Sequence, residues 1–176
     1  MTDEGLRHLS GLSQLRILSI GGSDYITDDG LRHLSGLSTL QNLAIRFTGV
    51  TGDGLQHISR LPNLKILFLD GSRIDSEGIR HLGALPRLES LAYRESQVTD
   101  ADMEAIVLTL PKLVELNLER NERLSKLTDT AIEHLREMNL RTLNVSGTKI
   151  TSSSLAKLRA ALPNCEVKPV PSDTTK

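Results

Sequence analysis

Apolar residues return along this chain in two alternating rhythms. Leu31, Leu34 and Leu37, and again Leu55, Ile58 and Leu61, fall at three-residue intervals, which puts them on one face of a short helix. Just downstream the spacing changes to LxxLxL, as in Leu40, Leu43 and Ile45 or Leu64, Leu67 and Leu69, whose last two apolar positions alternate as a strand does. The pattern predicts a repeated unit of short strand, turn and short helix. The opening of the helical half, Thr27-Asp28-Asp29-Gly30-Leu31, recurs with first residues Thr2, Thr27, Thr51, Asp75, Thr99, Thr128 and Thr151. The spacings of 25, 24, 24, 24, 29 and 23 residues make six units and a partial terminal one.

Polar residues punctuate the elements. Thr or Asp at all seven first positions predicts helix N-caps, and acids follow in the first turn, among them Asp28, Asp29, Asp53, Glu77, Asp100 and Asp102. The pairs Leu61-Pro62, Leu85-Pro86, Leu110-Pro111 and Leu162-Pro163 mark helix exits, because proline disfavours helical backbone in the residue before it. Gly30, Gly54 and Gly78 sit in the first helical turns, where a small residue lets neighbouring units approach.

The LxxLxL strands, each followed by Thr48, Ser72, Ser96, Asn121 or Thr148, resemble the leucine-rich-repeat family, with the polar residue at the family's asparagine-ladder position. The Thr-Asp-x-Gly-Leu helix start is similar to the cysteine-containing subfamily of F-box receptors and to related bacterial repeats, with Thr and Ser in place of the cysteines. The resemblance covers nearly the whole chain. It implies an α/β right-handed solenoid, with a parallel β-sheet on the concave face and short α-helices on the convex face. Physics points the same way, since one unit cannot bury its leucine face alone while stacked units share a continuous core.

The expected leucine-rich-repeat domain covers 1–170, followed by a polar, disordered tail over 171–176. Cys165 aligns with Leu40 and Leu64 as a small core residue, and Lys168 and Pro169 then fall where leucines belong, so the array is expected to stop there. At the other end the first helix begins within two residues of Met1, and the apolar edge of the first unit should be open. Such an edge either frays or supports end-to-end self-association. The fifth unit is the longest. Most of its extra length follows the strand, at Glu122, Arg123, Leu124, Ser125 and Lys126, which reads as an enlarged rim loop serving either binding or nothing.

Composition narrows the function. Lys plus Arg total 21 against 22 Asp plus Glu, so no global charge attracts nucleic acid or an anionic membrane. The single cysteine excludes an internal disulfide framework and is compatible with a reducing compartment. Residues 1–5 lack the cationic-then-apolar layout of a secretory signal, and no apolar run approaches the roughly 20 residues of a membrane helix. His8, His33, His57, His81 and His134 recur at one position of the unit, but packed helices stand roughly 8–10 Å apart, too far for imidazoles to converge on one metal ion. They read as a consensus residue on each helix flank. No nucleophile-base pairing or phosphate-binding glycine loop stands out, so neither catalysis nor a cofactor is expected.

The residues flanking each inward leucine carry the variation. One outward stripe reads Ile17, Asn42, Ile66, Ser90, Glu115 and Thr142, and the next Ser19, Ala44, Phe68, Ala92, Asn117 and Asn144. A third reads Gly21, Arg46, Asp70, Arg94, Glu119 and Ser146, with Phe47, Glu95 and Arg120 just beyond. Phe47 and Phe68, the chain's two phenylalanines, are expected to form an apolar cluster with Ile17 and Ile66, flanked by Arg46 and Arg94. The alternation Arg46, Asp70, Arg94, Glu119 should make an exposed ion-pair row, either a solvated ladder or a register device for a partner. Glu115 and Glu119 turn the far end acidic. This mixed face fits a protein or peptide better than nucleic acid, which favours a basic stripe with stacking aromatics. The sequence thus supports an interaction module. A substrate-receptor segment of a ubiquitin-ligase adaptor or bacterial effector, and a structural role through the open first repeat, remain as alternatives.

Overall fold

A computed structural model describes residues 1–124 and 129–168, with backbone alone for 129 and 130. Thr128, Ser125, Lys126, Pro169 and the 171–176 tail lie outside the described residues. The strands are β1 (Ile17–Ser23), β2 (Asn42–Thr48), β3 (Ile66–Phe68), β4 (Ser90–Ala92), β5 (Glu115–Asn117), β6 (Thr142–Asn144) and β7 (Glu166–Lys168). They form one parallel sheet in the order β1-β2-β3-β4-β5-β6-β7. Between them run α1 (Asp3–Arg7), α2 (Asp28–Leu31), α3 (Leu55–Ile58), α4 (Ser76–His81), α5 (Asp100–Thr109), α6 (Asp129–Glu137) and α7 (Ser152–Ala161). Every strand returns beside its predecessor after a helical crossover, which is the solenoid the repeats predict.

The register explains why the leucines recur. Leu18, Leu43, Leu67, Leu91, Leu116, Leu143 and Val167 stand side by side across the sheet. Together with the helical leucines they form one core continuous from Leu6 to Val167. Each fully buried leucine contributes about 1.5–3 kcal/mol of transfer free energy. Exposure rises in the first unit: Leu9, Leu15 and Leu18 are partly buried, while their counterparts Leu34, Leu40 and Leu43 have no exposed surface. Leu12 is 46% exposed.

Val167 corrects the expected end of the array. It pairs with Leu143, and Lys168 pairs with Asn144, so β7 completes a seventh strand. Cys165 therefore lies one residue away from the leucine position and is only half-buried against the core. Burial pushes its thiol pKa up.

The polar ladder satisfies the turns after the strands. Thr48, Ser72, Ser96, Asn121 and Thr148 are all buried. Asn121 Oδ1 accepts from the N–H groups of Ser96 and Val98, both at 3.0 Å, and its Nδ2 donates to the carbonyls of Tyr93 and Leu118 at 2.7 and 2.9 Å. Ser96 Oγ in turn accepts from the Ser72 N–H at 3.2 Å. Buried backbone groups that would otherwise be orphaned are thus paired across repeats.

The N-cap expectation holds for Thr2, Asp75, Thr99 and Thr151, each accepting from the backbone of its helix. Thr27 occupies the N-cap position but turns its hydroxyl elsewhere. Its N–H and Oγ1 donate to the Asp3 carboxylate of the preceding unit at 2.8 and 2.7 Å. Thr51 departs further, because α3 starts only at Leu55 after Gly54. Gly52 and Gly54 weaken the turn as helix. Thr51 instead bridges Arg73 and donates through N–H and Oγ1 to Asp28 at 2.8 and 2.6 Å. First-turn acids thus tie one repeat to the next as well as favouring their own helix. The glycines permit this approach: a Cβ on Gly30 or Gly54 would collide with the Asp3 or Asp28 carboxylate, and one on Gly78 with the backbone of Gly52.

Candidate interaction surface

With helices covering one side of the sheet, alternate strand residues face outward on the other. Ile66 and Phe68 flank the buried Leu67 on this open face and are both half-buried. Across the strands Phe68 stands between Ala44 and Ala92. The ring is a ridge between two low positions. Beside it lies a groove of about 330 Å³, with Ile66 and Phe68 at one end, Ala92, Glu115 and Asn117 along the middle, and Glu166 and Lys168 at the other end.

Arg46 caps the aromatic ridge, its Cζ 4.5 Å from the centre of the Phe68 ring. Its Nε lies 3.3 Å from Asp70 Oδ2 without an aligned hydrogen bond. Arg94 grips the same carboxylate with Nη2 on Oδ2 at 2.7 Å and Nε on Oδ1 at 3.1 Å, and its backbone N–H also donates to Oδ1. The bidentate contact raises the Arg94 pKa above its ordinary value. The expected exposed ion-pair row is corrected here. The regular strand ends at Phe68, and Asp70, in the turn that follows, is 2% exposed and shared by two guanidiniums whose side chains keep 37% exposure. Glu119 does not extend the row to Arg94. It is 4.0 Å from Arg120 Nε and accepts from Asn144 Nδ2 at 3.5 Å.

Phe47 is the other correction. Its φ of 51° places it in the left-handed region, and it is 51% exposed. The ring packs over Gly71 on the rim, in a hollow it shares with Asp24, Val50 and Arg73, and so is parted from Phe68. Gly22, Phe47, Gly71, Glu95, Arg120 and Gly147 all take positive φ at the same turn of successive units. Three non-glycine residues hold a conformation that costs about 1–2 kcal/mol outside glycine. Their side chains stand exposed along the rim, where Arg120 pairs with Glu95 at 3.0 Å.

Ile17, 66% exposed, lies in the same stripe as Ile66 but with Asn42 between them, so the apolar patch is interrupted. Glu115 is exposed at the groove and accepts from Ser90 Oγ at 3.0 Å. Sequence reasoning missed Glu166 and Lys168, because β7 was not expected. The sixteen-residue step from Thr2 to Leu18, repeated from Thr151 to Val167, is the signal that finds them. Of the rim loop, Leu124 is buried and its carbonyl accepts from the Lys149 N–H at 2.8 Å, which anchors this part of the insertion to the next unit.

The five histidines divide simply: His8 is exposed and His33, His57, His81 and His134 are half-buried. Among the described residues no group of three His, Cys, Asp or Glu side chains is placed to hold a metal ion, and no helix is long and apolar enough to cross a membrane.

The family model described as Leucine Rich repeat matches residues 137–158, which span β6 and the first turns of α7. Among solved structures, the chain is similar to a leucine-rich-repeat protein of Leptospira interrogans, at 16% identity and a TM-score of 0.58, covering 93% of this chain and 51% of that one. It is also similar to an internalin from Listeria monocytogenes, at 15% identity and a TM-score of 0.54, covering 94% and 57%. The chain thus spans little more than half the length of these structures. No curated protein matches it in sequence. The repeat, the ladder and the parallel sheet converge with these likenesses: the chain has the fold of a leucine-rich-repeat solenoid.

Proposed function

We propose that the chain is a protein-interaction module that seats a protein or peptide on the open, concave face of its sheet and catalyses no reaction. The observation that carries this reading is the half-exposed Ile66–Phe68 ridge beside the groove, with Arg46 laid over the ring. An aromatic residue flanked by small neighbours and arginine is the composition of an interface centre. In this reading Phe68 and Ile66 supply apolar contact, Arg46 and Arg94 border it, Asp70 holds the two arginines in place, and Glu115 and Glu119 line the acidic end. Ile17 and Phe47 serve a broad partner that also reaches the first strand and the rim. The test is affinity capture from the native cell with the wild type and with Phe68→Ala in parallel. A protein recovered with the first and lost with the second, both folded by circular dichroism, supports the reading. Retention of the same partners by Phe68→Ala overturns it.

A second reading is favoured by the exposed Leu12 and the partly buried Leu9, Leu15 and Leu18 of the first unit. This apolar end would associate with a second copy, and β1 would supply an edge for pairing. Sedimentation over rising concentration checks it: a constant monomer mass removes self-association.

A further inference from the structure

The groove carries more than an apolar seat, and its charge assigns the chemistry of what lies in it. The basic side of the open face is committed internally: Arg94 is held bidentately by Asp70, and Arg46 lies against the same carboxylate and over Phe68. The acidic side is not. Among the described residues no cation pairs with Glu115 or Glu166, and the polar contact of Glu115 is the neutral hydroxyl of Ser90. The register sets Glu115, Thr142 and Glu166 side by side on β5, β6 and β7. The two glutamate positions thus flank the half-buried Thr142, their backbones roughly 10 Å apart at about 4.7–4.9 Å per strand. Lys168 is the one cation at this end of the groove, against two carboxylates.

Resting on the concave-face reading above, we propose that the occupant is an extended polypeptide segment that pairs an apolar side chain, packed against Phe68 over Ala92, with a lysine or arginine held between Glu115 and Glu166. Thr142 lies three strands from β3, in the row of Ile66 and so two residues along from Phe68, which puts it roughly 16 Å from Phe68. Extended chain advances about 3.3–3.6 Å per residue, so the basic residue stands about three to five positions from the apolar one. The segment runs across the strands, along the solenoid. Both ends of the groove are then used, and the partner's charge is opposite to the one that Arg46 and Arg94 alone would suggest.

The experiment pans a phage-displayed library of random peptides on the immobilised full chain, then measures the best synthetic peptide by fluorescence polarisation against the wild type, Phe68→Ala and the double variant Glu115→Gln with Glu166→Gln. The expected result is enrichment of an aromatic or aliphatic residue with Lys or Arg three to five positions away, binding that weakens as salt rises, and a loss of about tenfold or more in the double variant. Ala92→Arg, which fills the groove floor from a strand position, should abolish binding if Phe68→Ala proves poorly folded. Peptides that depend on Phe68 but carry no basic residue, carry acids instead, or ignore the double variant overturn this proposal and leave the concave-face reading standing. Peptides indifferent to Phe68→Ala and Ala92→Arg, or no enrichment at all, overturn both.

Discussion

Asp70 and Tyr93 each bury a polar group at one position of the repeat. Asp70 is a buried carboxylate held by two arginines from the neighbouring repeats. Removing it strands two guanidiniums side by side, but these are partly exposed and can turn to water, so Asp70→Ala should cost about 2–3 kcal/mol, less than breaking a fully buried pair. Urea unfolding measures this. Binding should fall as well, because Arg46 is no longer held over Phe68. Tyr93 takes the apolar strand position of Leu69 and Leu118, fully buried, and its hydroxyl donates to the carbonyl of Ile74. Tyr93→Phe leaves that carbonyl without its donor and should cost about 1–3 kcal/mol near neutral pH. Burial is the main cause that raises the Tyr93 pKa well above its ordinary value of about 10, with the Asp102 charge adding to it. A raised folded pKa means that above about pH 10 the unfolded chain loses this proton while the native one keeps it. The wild type should therefore lose its advantage over Tyr93→Phe as pH rises above about 10, seen as converging melting temperatures. Equal slopes in the two proteins would show that the buried phenol does not titrate this way.

At the scale of the elements, the repeats are fastened by contacts that a single unit does not reveal. Gly52 and Gly78 bring the turn before α3 and the start of α4 together backbone against backbone. Alanine is the better helix former by about 1 kcal/mol, yet Gly78→Ala should destabilise by about 1–3 kcal/mol, because its methyl group meets the Gly52 backbone and the two units must part. A thermal melt above that of the wild type would refute this. The same distinction decides what could be read from sequence. The strand leucines were legible because every unit repeats them and the register is fixed by burial. The ladder residues were legible for the same reason. Phe47 was not, since its place follows from a left-handed turn residue that swings the side chain to the rim, and Phe has no propensity that announces this. Asp70 looked like one more outward strand residue, but β3 stops at Phe68 and the following turn folds the carboxylate inward. In the last unit, Val167 is the only core apolar side chain of β7, so the position of Cys165 was misread by one residue and Glu166 and Lys168 were lost from the groove. Alternating positions locate a face; where a strand ends decides which residues remain on it.

The whole molecule is a row in which each unit contacts its neighbours, so stability should vary with position along it. Leu67 lies on β3 between two paired strands and is fully buried, whereas the equivalent Leu18 is on β1, at the edge of the sheet, and only partly buried. Leu67→Ala should therefore cost about 2–5 kcal/mol, the range for a buried leucine whose neighbours cannot collapse into the space. Leu18→Ala should cost clearly less, since less contact is lost and water already reaches the site. Amide hydrogen exchange supplies the companion measurement. Protection should be greatest in β2 to β5 and lowest in β1 and β7, each of which pairs on one side alone among the described strands. The groove spans β3 to β7, with its apolar end on the best-supported strands and its acidic end on the last ones. A partner bridging both ends would tie β6 and β7 to the centre, so binding should raise protection most at the acidic end, where the free sheet has least to lose by opening. Protection gained uniformly along the sheet, or confined to β3, would instead place the bound segment on the aromatic ridge alone.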